Sequence, residues 1–308
     1  MRARWLVLGV VAAAACQDSS SVTPTTPTEP AFRNELFHGQ GQGEPHLFLP
    51  RGQVRSAARG RGGNVLLSDH GGGVLTSSSV TAILWGSSWN NTTFVGDKVI
   101  GLDSFFGGMG QSGYAKTCDE YSSITPAVAY AGHLFDYSAA PASGPSVSTV
   151  VGEVCAVLAA NHVTPQTNAL YMVYGDTPRG TAGYCAYHSY GSCGGTQVQV
   201  GWSFNLDGDA GCNPQDGSGL HSQGLAALAN VTAHELSEAR TDPELNAWFD
   251  ASGSENGDKC AWIFASTLET LTNGSQWKLQ AEWSNNAYLA GTGLANSKGQ
   301  HGCIVSGS

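Results

Sequence analysis

The sequence predicts an α+β domain: a mixed or antiparallel sheet with one long helix packed on it, rich in loops and stapled by disulfides. Three observations carry this. "GYCAYHSY" and "TQVQVGWSF" alternate polar and apolar residues on either side of a glycine-rich loop, the pattern of two antiparallel strands. "NALYMVYGD" is a near-continuous apolar run of strand length, as a buried strand requires. "GLHSQGLAALANVTAHELSEARTDP" has the strongest helical pattern in the chain. The 41 glycines and the charged content of only 12% agree with a loop-rich, strand-rich protein rather than a helical bundle.

Each element follows from local pattern. In "GGGVLTSSSVTAILWG", Val74, Leu75 and the run Val80 to Trp85 predict a strand ended by a Gly-Ser turn. Asp97 to Phe106 has helical spacing and stops at glycines near Gly107. Val147, Val150, Val151, Val154, Cys155 and Leu158 fall on one face of a second helix. In the long helix, Ser222 is the candidate N-cap and Leu225, Leu228, Ala229 and Leu236 the apolar positions. Asp242 before Pro243 marks its end. The remainder, to Ser308, reads as Gly/Asn/Ser-rich loop with short strands such as "WKLQAEW".

The chain divides into three parts. Residues 1–16, "MRARWLVLGVVAAAAC", have Arg2 and Arg4, a short apolar run and small residues before Cys16. This is an export signal of lipoprotein type, with Cys16 as the lipidated residue, although Ala13 stands where leucine is usual. Residues 17–68 read as a disordered Ser/Thr/Pro/Gly-rich tether, with too few apolar residues to fold. Residues 69–308 form a single globular domain. The expected location is the cell envelope or outer surface, with membrane contact only through the lipid. The net charge of −10 comes without a basic stripe, which excludes nucleic acid as a partner.

Seven cysteines follow Cys16, and an oxidising compartment favours disulfides between them. The expected pairs are Cys185–Cys193, Cys260–Cys303 and Cys118–Cys155, with Cys212 left over. None has the C-x-x-C spacing of a structural zinc site.

The chemistry concentrates in "VTAHELSEARTDPELNAWFD". His234 and Glu238 are four apart, hence one turn apart on the same helix face, so they can converge on one metal ion. Glu235 stands where His-Glu-x-x-His metalloproteases carry their general base, and Glu238 replaces the second histidine with an acceptable zinc ligand. Zinc is therefore the expected cofactor. A third ligand is needed; "FDASGSENGDKC" offers Glu255, the favoured choice, and Asp258, while Asp242 at the helix end is another alternate. His188 in "CAYHSY" is a second catalytic candidate, as ligand or transition-state donor. Asn205, Asp207 and Asp209 fall at every second position, like the opening of a calcium loop that lacks its closing glutamate, and a plain acidic turn explains them as well. Tryptophans such as Trp85, Trp89, Trp202, Trp248, Trp262, Trp277 and Trp283 would suit a sugar-stacking platform or ordinary core packing. The sequence has no G-x-S-x-G elbow and no phosphate loop.

Taken together, "HGGGVLTSSSVTAILWG", "YCAYHSY", "TAHELSEARTDPELNAWFD", "ENGDKCAW" and "QAEWSNNAYLAG" resemble the EXORDIUM, or phosphate-induced protein 1, family over about residues 69–305. The resemblance implies a secreted protein. It also implies a recurring His-Glu-x-x-Glu-Ala-x-Thr-Asp-Pro block, here His234 to Pro243, followed by Glu-x-Gly-Asp-x-Cys, here Glu255 to Cys260. Two functions follow as expectations. One is an exported, lipid-anchored, zinc-dependent hydrolase acting on a peptide. The other is a non-catalytic extracellular module binding a cell-wall polymer, its helix cluster serving structure.

Overall fold

The computed structural model describes residues 44–53 and 65–307. The signal, Cys16 and most of the tether lie outside the described residues. The chain order is β1 (His46–Phe48), β2 (Ser68–Asp69), β3 (Ser78–Trp85), α1 (Thr92–Val95), α2 (Lys98–Met109), β4 (Val128–Asp136), α3 (Val147–Ala160), β5 (Ala169–Pro178), β6 (Ala186–Cys193), β7 (Thr196–Asn205) and α4 (Gln223–Thr241). A loop-rich C-terminal part follows, with β8 (Trp248–Phe249), α5 (Asn256–Lys259), β9 (Glu269–Thr270), β10 (Gln276–Trp277), β11 (Glu282–Trp283), α6 (Asn285–Leu289), β12 (Leu294–Ala295) and β13 (His301–Ile304). The α+β class with a mixed sheet is as the sequence predicts.

The main sheet has six strands in the order β1-β6-β7-β5-β3-β4. Strands β7, β5, β3 and β4 run parallel, while β6 and β1 add antiparallel pairs at one side. Strand β5 is buried from Ala169 to Gly175, which is why its sequence is apolar without alternation. Helices cover both faces. Gly191 of β6 lies against Val151 of α3, whereas His188, of opposite parity, faces α4. Strand β6 therefore carries packing on one side and chemistry on the other.

Helix α4 starts where Ser222 accepts a hydrogen bond from the Leu225 amide, and it ends at Asp242, before Pro243. Every residue from Gly224 to Thr241 is buried. Its apolar positions meet the sheet and α2; Gly101 of α2 lies so close to Leu225 that a Cβ there would sit 2.1 Å from its methyl. The polar half of α4 is also interior, so its side chains must find partners inside the protein.

Two expectations are corrected. The tether ends earlier than position 68: residues 44–53 belong to the domain, with His46, Leu47 and Phe48 paired to His188, Tyr187 and Ala186 of β6. Apolar Leu47 and Phe48 between Pro45 and Pro50 form this strand inside an otherwise polar stretch.

Only one of the three disulfide pairs is as expected, Cys260–Cys303. The others are Cys155–Cys193 and Cys185–Cys212, and Cys118, not Cys212, is left unpaired and buried. Cys185 and Cys193 bracket β6, about 26 Å apart at 3.3 Å per residue, far beyond disulfide reach. Cys155 instead meets Cys193 because α3 packs on that face of the strand. Each bridge closes a loop of 27 to 43 residues, which is about 3.5–4 kcal/mol in the chain-entropy description. Three disulfides mark a protein folded for an oxidising environment. No helix among the described residues is long and apolar enough to cross a membrane.

Candidate metal centre

Four elements deliver titratable groups to one buried point. Helix α4 brings Glu235 and Glu238, β6 brings His188, β1 brings His46, and the turn entering α5 brings Glu255 and Asp258. His188 Nε2 lies 3.3 Å from Glu255 Oε2 and 3.5 Å from Glu238 Oε2. His46 Nδ1 is 3.0 Å from Glu255 Oε1, and its Nε2 is 2.8 Å from Asp258 Oδ2 and 3.7 Å from Glu238 Oε2. Three sets of ligand atoms converge within 4.8 Å: His46, His188 and Glu255; His46, Glu238 and Asp258; His188, Glu235 and Glu238.

The turn into α5 is built for this approach. The Asp258 amide donates to Glu238 Oε1 at 3.0 Å, and the Glu255 amide donates to Asp258 Oδ2 at 3.3 Å. Gly257 must be glycine for its packing: a Cβ there would lie 2.6 Å from His234 Nδ1 and 3.0 Å from Glu238 Oε1.

Several of these polar atoms have no hydrogen-bond partner among the described residues. Both ring nitrogens of His188, both oxygens of Glu235, Glu238 Oε2 and Glu255 Oε2 are buried without a hydrogen bond. The His188 contacts have the distance of ion pairs but not the alignment of hydrogen bonds. Basic side chains on the same helices are committed elsewhere. Arg240 donates to the carbonyls of Ala115 and Thr125, and Lys259 pairs with Asp250 at 2.8 Å.

Electrostatics follow from this company. Burial, then neighbouring Glu238, holds the Glu235 carboxyl well above the ordinary range. Burial, then Asp258 and Glu255, does the same to Glu238, against the pull of His46 and His188. Glu255 goes the other way: burial pushes it up, but His46 and His188 bring it below the usual value. Burial pulls the His46 imidazole down, yet Glu255, Asp258 and Glu238 together raise it well above normal. Four carboxylates in a buried site leave two ways to limit repulsion: protons on Glu235 and Glu238, or a cation between them. Imidazole and carboxylate donors with orphaned atoms aimed at one point can hold a metal ion.

The other expected residues are placed as follows. His234 lies beside the cluster: its Nδ1 is 2.9 Å from Gln280 Nε2, its Nε2 3.2 Å from Glu238 Oε1, and its ring stacks on Phe48. It belongs to none of the three converging sets. Asp242 takes the amides of Asn246 and Ala247 on Oδ1 and shapes the turn after α4. Asn205, Asp207 and Asp209 lie in an acidic turn, the alternative to a calcium loop that the sequence offers. Asn205 accepts from the Asp207 amide, Asp207 accepts from Lys98 Nζ, and Asp209 pairs with Arg179 and accepts the amides of Gly211 and Cys212. The tryptophans are mostly packed inside: Trp85, Trp89, Trp202, Trp277 and Trp283 are at most 3% exposed, so they form no surface platform.

Sequence reasoning missed His46. Its signal was "PHLFLP", an apolar run between prolines, too short to stand out from the surrounding Gly-rich stretch. Comparison with models of known families and with curated protein sequences gives no match.

Proposed function

We propose that this protein is an exported, lipid-anchored, zinc-dependent hydrolase of peptidase type, akin to the EXORDIUM family. The observation that supports this most is the buried cluster itself, in which His188, Glu235, Glu238 and Glu255 present polar atoms with no hydrogen-bond partner among the described residues. Imidazole beside carboxylates favours zinc over the all-oxygen sites of calcium and magnesium.

In this reading His188, Glu238 and Glu255 would hold the ion, and His46 stands beside them where the open position of a catalytic site would be. Zinc in such a site supplies a Lewis acid that polarises a carbonyl and activates water. Glu235 adjoins His188 and Glu238 and is the general base. With a cation beside it to keep it ionised, its carboxylate would take the proton of the attacking water and return it to the leaving amine. Gln280 and Gly257 hold the flank by fixing His234 and admitting Glu238. The sequence expectation of His234 as a ligand gives way to His188, because only the latter lies in the converging sets.

Metal analysis of the purified protein beside a Glu235→Gln variant tests the proposal. The expected result is about one zinc per chain in both, with peptide hydrolysis lost only in the variant. Absence of zinc from the wild type would sink it. A second reading, the non-catalytic extracellular module, draws on one observation: with His46 in place the cluster is closed, as structural zinc sites are. Zinc in both proteins, with hydrolysis absent even after a His46→Ala substitution that opens the fourth position, would select that reading.

A further inference from the structure

The β1 segment is held the way a protein holds a peptide. It is a three-residue edge strand whose only sheet partner among the described residues is β6. Main-chain contacts run along it: the Cys185 amide donates to the Phe48 carbonyl at 2.7 Å, Trp262 Nε1 donates to the Leu49 carbonyl at 2.9 Å, and the Arg51 amide donates to the Gly211 carbonyl at 2.8 Å. His46 and Phe48, alternate residues of the strand, and Arg51 beyond it drop into separate places. His46 enters the metal cluster. Phe48, completely buried, lies between the His234 ring at 3.8 Å and the Trp262 ring at 4.7 Å, nearly parallel to both. Arg51 rests over Trp262 at 5.3 Å and Phe264 at 5.8 Å. Main-chain pairing for affinity and pockets for alternate side chains are the marks of recognition by strand addition.

We infer that the cleft between β6 and Trp262 is a binding site for an extended peptide with an aromatic side chain, and that residues 46–51 of this chain fill it as an internal ligand. The identity of the ligand class follows from what the cleft offers. An aromatic slot between His234 and Trp262 selects a flat side chain, and indole and amide donors meet main-chain carbonyls. The slot lies two residues along from the metal cluster, so a bound peptide passes directly over the reactive groups. Resting on the hydrolase reading, this site is where the substrate peptide lies, and β1 must leave before a substrate enters. A catalytic zinc needs one open position, and His46 occupies the place where that position would be. The docked segment and the working enzyme are thus alternative states of one cleft.

A fluorescein-labelled peptide with the sequence of residues 44–52 tests this by anisotropy, which reads binding without turnover. The internal segment competes at an effective concentration on the order of millimolar, so the full-length wild type should bind the peptide weakly. Phe48→Ala in the full chain should loosen the segment and tighten peptide binding by about tenfold or more, as loss of a buried aromatic anchor does. Should that variant fold poorly, Arg51→Ala, at the rim of the cleft, should give a smaller gain of about threefold. A labelled peptide with alanine in place of the phenylalanine should bind the Phe48→Ala protein at least about tenfold more weakly than the parent peptide. Equal peptide binding by wild type and both variants would overturn the inference, as would equal binding of the two peptides. Peptide binding without zinc or turnover keeps this site and removes the hydrolase; zinc and turnover without peptide binding removes this site alone.

Discussion

Two acidic regions of the molecule have opposite company. In the turn at residues 205–209, Asp207 meets Lys98 and Asp209 meets Arg179 together with two backbone amides. Asp209 titrates below its ordinary value; burial works against this, and Arg179 and the Cys212 amide outweigh it. In the cluster around His188, four carboxylates share two imidazoles, and the nearby cations Arg240 and Lys259 are spent on other partners. There Glu235 and Glu238 titrate above their ordinary values. Acidic residues alone do not mark a site. What marks it is burial without neutralisation, a cost the fold would shed unless something else binds there.

The contrast can be broken most strongly through the proposed metal. Chelation should lower the melting temperature of the purified protein by about 5–10 °C, the effect of losing a ligand present at a hundredfold its Kd or more. The same treatment should leave a protein with no resident ion unmoved, which differential scanning calorimetry will show.

The next largest effect is on pH. Asp242 is pushed up to about 7 by burial and by Glu255. Between the unfolded value and 7, folded Asp242 holds a proton that the unfolded chain has lost, so its contribution to stability is full below about pH 4 and is lost as pH rises through 7. In urea melts of the metal-free protein it should add a loss of about 1.4 kcal/mol per pH unit at the steepest part of that window, on top of the losses from Glu235 and Glu238. Asp242→Asn should reduce the slope by that increment, and an unchanged slope would remove Asp242 from the account.

Gly257→Ala should cost about 1–3 kcal/mol, because its methyl would collide with His234 and Glu238. Zinc affinity should fall with it, as read by competition with a chromophoric chelator. The smallest effect belongs to the other region. Arg179→Ala should cost about 0.2–1 kcal/mol in denaturant melts and leave metal content unchanged.

Much of the fold was legible because its signals are local. Ser222 caps α4 as its side chain dictates, Val147 to Leu158 form α3, and the unbroken run in 169–175 is the doubly covered strand β5. Spacing on α4 related Glu235 and Glu238, and the need for a third ligand pointed to Glu255, with Asp258 as an alternate, in "ENGDKC". What spacing could not supply is who arrives from elsewhere. His188 displaces His234 because the face of β6 turned toward α4 is fixed by sheet register, a long-range property. His46 comes from a strand of three residues, below the length at which alternation means anything. Disulfide partners failed for the same reason: Cys155 and Cys193 meet because a helix crosses a strand, and nothing in either neighbourhood encodes that crossing.

Strand β6 is bolted at both ends, by Cys185–Cys212 before it and Cys155–Cys193 at its last residue, with His188 between the bolts. A slip of one residue along β7 would turn His188 to the α3 side and dismantle the cluster. While the cysteines are still reduced, hydrogen bonds and the packing of β6 against α3 and α4 oppose that slip. Oxidation adds a covalent stop at each end, so the aim of His188 is held more firmly once the surroundings allow the bridges to close.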